Sequence, residues 1–125
     1  MPTIDDAFMA RMYDQFNQEC FGGLLPKHKV LLKDAKVEGG KIPDGMLNPI
    51  KHGEFYPEVG EIWINTRLYG GRDYQTIKDS FESDLKHEMV HAELYRQGKP
   101  WKHDTPEHTA AFNELALQVG AATVS

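Results

Sequence analysis

Two histidines and a glutamate stand in a spacing that suits metal chemistry. His87, Glu88 and His91 form the pattern H-E-x-x-H. On an α-helix, residues four apart share a face, with Cβ atoms about 5–6 Å apart, so both imidazoles can reach one metal ion. The glutamate after the first histidine can then take a proton from a water molecule beside the metal. The pattern predicts a hydrolase with one catalytic Zn²⁺, and we take a protease as the main hypothesis.

The alternative reading of the motif is an amphipathic core helix with two incidental histidines. The chain has 6 histidines in 125 residues, and random placement would give on the order of 0.02 such motifs. At about 100° per residue, an inward face is predicted for residues 77–97. Its members are Ile77, Phe81, Asp84, Leu85, His87, Glu88, His91, Ala92 and Tyr95. The predicted outward face carries Glu82, Lys86, Glu93, Arg96 and Gln97, with Met89 as its apolar exception.

The inward polar groups of this helix need partners, because buried polar groups are costly when they are unpaired. A metal ion would satisfy both histidines and the glutamate together. Gly98 is suited to end the helix, and Pro100 prevents its continuation. Asp84, one turn before His87, could orient a ligand histidine, although a surface or capping role is equally open.

A catalytic zinc ion takes three protein ligands, so a third one is expected. Candidates downstream are His103, Asp104, Glu107, His108 and Glu114. Thr105 and Pro106 are suited to start a last helix. Its apolar stripe at helical spacing is His108, Ala111, Phe112, Leu115 and Val119. We therefore prefer His108 as the third ligand, ahead of His103 and then Asp104. A hydrogen-bonded histidine at a helix end is the alternative for His108.

A hydrolase also needs a group that stabilises the oxyanion of the transition state. Tyr95, His103, Tyr56 and Arg67 are candidates, and the sequence does not rank them.

The elements that must position these groups can be outlined along the chain. A first helix is predicted over residues 4–20 with Thr3 as its cap. Strands are predicted at Lys29–Lys33 and Glu61–Asn65, with one or two short strands and a long loop in Met46–Tyr56. With the last two helices, these elements predict a single α+β domain that contains a small antiparallel sheet. The domain would span residues 1–125.

Composition limits the classes of partner and the compartment. The net charge of −5 argues against strong direct binding to nucleic acid. One cysteine, Cys20, permits no internal disulfide, and there is neither a membrane-spanning apolar run nor a signal peptide. A cytoplasmic protein is predicted. His28 and His52 are expected to be exposed and unconnected to the site.

Four segments in order resemble the SprT-like zinc metallopeptidases, the group that includes the Spartan DNA–protein crosslink proteases. They are Asn17–Pro26, Glu61–Asn65, His87–Ala92 and His108–Phe112. The resemblance covers most of the chain and implies a zincin-like fold, zinc bound by His87, His91 and His108, Glu88 as general base, and a protein or peptide substrate. The family usually has glycine where this chain has Thr109, which leaves the ligand unaffected.

Many relatives carry a C-terminal zinc ribbon, which a chain with one cysteine cannot form. We therefore expect only the catalytic core, with any contact to nucleic acid made through a substrate or partner. Two other functions stay open: a zincin module that binds zinc or a partner without proteolysis, and a zinc amidase acting on a cell-wall peptide. Zincins usually bind substrate along an edge strand, here Glu61–Asn65 or the strand before it, unless these strands only build the core.

Overall fold

The structure, a computed structural model, describes residues 4–34, 40, 41, 47, 51–66, 73–99, 101 and 106–121, with residues 106–108 described by their backbone alone. Its elements in chain order are α1 (Asp6–Cys20), β1 (Lys29–Lys33), β2 (Gly53–Tyr56), β3 (Glu61–Asn65), α2 (Tyr74–Arg96) and α3 (Pro106–Val119). The predicted α+β class is confirmed. None of the helices in these ranges has the length and hydrophobicity needed to cross a bilayer.

The first helix is capped by Asp5, whose carboxylate accepts a hydrogen bond of 2.8 Å from the backbone N–H of Phe8. The predicted start at residue 4 is therefore two residues early, and Thr3 lies outside the described residues. After α1, the amide of the buried Asn17 donates to the Leu25 carbonyl and accepts from the Leu25 N–H. These two bonds hold the chain that leads from α1 into β1.

The sheet has the order β1-β3-β2. The β2–β3 pair is antiparallel, as predicted, whereas β1 and β3 run parallel. The prediction of a purely antiparallel sheet is wrong for this second pair, because the long segment between β1 and β3 lets the chain return in the same direction. β3 is the central strand, so the prediction that Glu61–Asn65 could be an edge is wrong as well.

The core is one cluster of buried residues that joins the sheet to all three helices. Ile62 and Ile64 of β3 are fully buried in it, together with Phe55 of β2 and with Leu85 and Met89 of α2. α2 contacts α1, α3, β2 and β3. It is therefore enclosed on several sides rather than on one.

This enclosure corrects the predicted faces of α2. Glu93, predicted to face outward, is only 3 % exposed and accepts from Arg96 Nε at 2.5 Å. Met89, predicted to be an apolar residue on the outward face, is fully buried. Tyr95, predicted to face inward, is 48 % exposed. A single-sided helical pattern does not apply to a helix that contacts two other helices and two strands.

Candidate metal centre

His87 and His91 converge within α2. Their Nε2 atoms are 3.3 Å apart, and their ring centroids are 5.0 Å apart. Two nitrogens bound to one tetrahedral zinc ion at about 2.0–2.1 Å would be about 3.3–3.4 Å apart. The pair therefore has the separation required of two ligands on one ion, so the residues fit a zinc site.

The orientation of His91 is set by the backbone of Trp101, whose carbonyl oxygen lies 2.6 Å from His91 Nδ1. A carbonyl can only accept, so Nδ1 of the neutral ring donates the hydrogen bond and carries the proton. The lone pair then resides on Nε2, the atom that approaches His87. Sequence reasoning missed this contact, because a backbone carbonyl has no residue-type signal.

Phe112 of α3 packs against the rings of both histidines. Its fully buried ring lies 4.7 Å from the His87 ring and 4.9 Å from the His91 ring, measured between centroids. Val119 of the predicted α3 stripe is buried too, and Ala111 and Leu115 pack against the core. α3 thus packs against the part of α2 that carries the two histidines.

Glu88 is buried beside His87, with 5 % exposure and Oε2 at 3.9 Å from His87 Nε2. Ligand atoms of His87, Glu88 and His91 all lie within 4.8 Å of one another, so this group could hold a metal ion. Burial is the main cause that raises the pKa of Glu88 to about 8; the charges of Glu54 and Asp84 contribute to the rise, and Lys51 opposes it. A cation bound between the histidines would lower this pKa by stabilising the carboxylate.

Gly53 of β2 lets the strand pass directly over Glu88. A Cβ atom at Gly53 would lie 2.7 Å from the Trp63 carbonyl oxygen and 3.3 Å from Glu88 Cγ. Both distances are too short for an ordinary contact. The sequence signal was a glycine within a strand, which marks close backbone approach, but it did not reveal what approaches.

We expect Gly53→Ala to lower the free energy of unfolding by about 1–3 kcal/mol, because the added methyl group would lie too close to the Trp63 carbonyl oxygen and to Glu88. Denaturant unfolding followed by circular dichroism measures this change. Val59→Ala, at a position in the next turn that is 64 % exposed, is the control and should leave the stability unchanged. A Gly53→Ala protein as stable as the wild type would show that the strand yields without cost.

His28 and His52, which were expected to be exposed and unconnected to the site, both contact other side chains. Asp84 Oδ1 lies 3.6 Å from Nδ1 of the exposed His52. His28 is half-buried, and its ring contacts Tyr13 and Phe55, at 6.2 and 5.2 Å between centroids. Burial also lowers the pKa of His28. The prediction of an exposed side chain is therefore wrong for His28 and right for His52. His52 nevertheless has a neighbour, because it lies beside Asp84.

The oxyanion candidates separate into described and undescribed residues. The Tyr56 hydroxyl donates to Glu54 Oε2 at 2.7 Å, and the Tyr95 ring packs against Phe55 and Trp101. Arg67 and His103 lie outside the described residues. Neither tyrosine contact assigns the role, which stays a prediction.

The choice among third ligands also stays a prediction. His108 is on the first turn of α3, and its side chain lies outside the described residues, as do His103 and Asp104. The structure thus describes the side chains of His87 and His91, whereas the side chain of the predicted third ligand lies outside the described residues.

One curated relative supports the resemblance noted above. A Streptococcus gordonii protein named "Protein SprT-like" is 35% identical over 68 residues, which cover 54% of this chain and 41% of that protein. The match therefore spans less than half of the relative. No protein-family model and no solved structure match the chain.

Proposed function

We propose that this SprT-like chain is a zinc-dependent metallopeptidase. The observation that carries the proposal is the 3.3 Å separation of His87 Nε2 and His91 Nε2 beside the buried carboxyl group of Glu88. Two imidazoles at ligand spacing and an adjacent acid are the arrangement that metal-assisted hydrolysis requires.

His108 is our proposed third ligand. Phe112 contacts the rings of both His87 and His91, and position 108 lies one helical turn before it in α3. Residues four apart share a face of a helix. This shared face supports the choice of His108 over the other candidates.

The residues of the chain have separate tasks in the proposed reaction. When bound, zinc lowers the pKa of a coordinated water to about 7 and polarises a carbonyl group. Glu88 takes a proton from the attacking water and returns it to the leaving nitrogen as the C–N bond breaks. Glu88 is buried beneath β2 at Gly53, and exclusion of solvent there strengthens the electrostatic interactions of its carboxyl group.

β2 is our proposed binding edge for the substrate. Among the described strands it pairs with β3 alone, and Gly53 places its backbone against Glu88. An extended peptide can add to such an edge by main-chain hydrogen bonds. The substrate would accordingly be a protein or peptide in an extended conformation.

Partners and location follow as part of the same proposal. The net charge of −5 gives no support for direct nucleic-acid binding, so such an association would be made by the substrate or a partner. A single cysteine suits a reducing compartment such as the cytoplasm.

The test is elemental analysis of the purified protein combined with casein hydrolysis. We expect one zinc per chain, hydrolysis that stops on chelation, and recovery on adding zinc. A parallel assay with DNA asks whether nucleic acid stimulates cleavage. A protein that cannot be loaded with zinc would contradict the proposal.

The same assays separate the alternative functions. Zinc binding with no cleavage of casein or of any peptide would favour a binding module. Cleavage restricted to a cell-wall peptide would favour an amidase.

A further inference from the structure

Trp101 is connected to the candidate metal centre through its backbone and its side chain. Its carbonyl oxygen accepts the hydrogen bond from His91 Nδ1. Its ring packs edge-on against Phe55 and Tyr95, with centroids 5.6 and 5.4 Å away and interplanar angles of 75° and 86°. These are the distances and orientations of favourable aromatic pairs.

Phe55, Tyr95 and Trp101, here termed the aromatic cluster, join three separate parts of the fold. Phe55 belongs to β2, Tyr95 to the last turn of α2, and Trp101 to the chain beyond that helix. Phe55 and Tyr95 also contact each other, with centroids 5.8 Å apart. The buried Phe55 ring therefore anchors the cluster to the sheet.

The end of α2 directs the chain toward this cluster. Gly98 has a φ of 72°, its N–H donates to the Tyr95 carbonyl, and the Lys99 N–H donates to the Leu94 carbonyl. This is the Schellman arrangement, in which a left-handed glycine reverses the chain. The reversal is consistent with the return of the Trp101 carbonyl to His91, on the helix just left.

We infer that Trp101 is a positioning residue for the metal centre: packing of its ring in the aromatic cluster holds its carbonyl on His91 Nδ1 and so directs Nε2 toward the metal. The inference rests on the proposed function, in which His91 is a zinc ligand. Hydrogen-bond partners of ligand histidines fix the tautomer and the ring orientation, and their loss typically costs about 10–100-fold in metal affinity. Any residue supplies a carbonyl at position 101, so the side chain matters through where it places that carbonyl.

Two substitutions at Trp101 test this role. Trp101→Ala removes the ring, and we expect zinc affinity to fall about 10–100-fold. Trp101→Phe keeps an aromatic ring in the cluster and should stay closer to the wild type. Zinc affinity is measured by competition with a chromophoric chelator, which needs no substrate. Leu117→Ala, at a position 74 % exposed on α3, is the control and should bind zinc like the wild type.

The tautomer of His91 gives a second readout in the metal-free protein. Ring ¹⁵N chemical shifts distinguish Nδ1–H from Nε2–H. We expect the Nδ1–H form in the wild type and in Trp101→Phe, and a mixture of both forms in Trp101→Ala. A general loss of stability would not by itself change the tautomer of a folded protein.

Unchanged zinc affinity together with an unchanged tautomer in Trp101→Ala would overturn the inference. If Trp101→Ala does not fold, Tyr95→Ala removes the partly exposed partner ring instead, and a normal affinity and tautomer there would overturn it equally. A wild-type protein that takes up no zinc would refute the proposed function, while the tautomer measurement would still decide whether Trp101 positions His91.

Discussion

Glu88→Gln is expected to lower kcat/KM for peptide hydrolysis by about 10²–10⁴-fold while zinc stays bound. Glutamine preserves the size and shape of the side chain but cannot take a proton from water. Glu88 is buried beside His87, so no solvent group easily replaces it. Steady-state hydrolysis of a fluorogenic peptide and zinc content of the same sample measure the two effects.

Glu82→Gln is the matched control for this change. Glu82 lies on the same helix, where it pairs with Lys78 at 2.6 Å, and its substitution should leave hydrolysis unchanged. If Glu88→Gln lost zinc, the carboxylate would be a ligand, which the closeness of its oxygen to the histidine nitrogens permits. Retained hydrolysis would instead remove Glu88 from the mechanism.

His108→Ala is expected to lower zinc affinity by more than about 100-fold. Loss of a ligand should exceed the roughly 10–100-fold cost of losing only a hydrogen-bond partner of a ligand. His91→Ala sets the scale, because Nε2 of His91 is at ligand distance from Nε2 of His87. Competition with a chromophoric chelator measures the zinc affinity of the wild type, His108→Ala and His91→Ala.

His103→Ala is the control for the third ligand and should keep the wild-type affinity. The reverse ranking, with His103→Ala losing zinc and His108→Ala keeping it, would transfer the role to His103. Full zinc affinity in His91→Ala would exclude the centre altogether.

The part of the site that lies on α2 could be predicted because helical geometry alone determines it. His87 and His91 are four residues apart on a continuous helix, so their convergence needs no tertiary information. The strand Glu61–Asn65 and the buried stripe of α3 were predicted on similar local grounds.

The features that could not be predicted depend on the tertiary packing of helices and strands against one another. The Trp101 carbonyl is chemically the same as any other, so only the folded chain shows which one reaches His91. Burial of Glu93 is expected of a helix that contacts two other helices and two strands, and periodicity along one helix cannot reveal those contacts. The direction of β1 relative to β3 depends on the path of the segment between them, and strand patterns are the same for both directions.

The parallel pairing of β1 with β3 has a consequence for folding, because the two strands are far apart in sequence. β2 and β3 are joined by the short turn of residues 57–60, so this hairpin can close quickly. β1 reaches β3 only by closing a much longer loop, which costs more chain entropy and slows formation of the contact. α1 accompanies β1, because Asp6 accepts a hydrogen bond from the Leu32 N–H. We therefore expect the hairpin to assemble on α2 early, with the N-terminal helix and strand docking last.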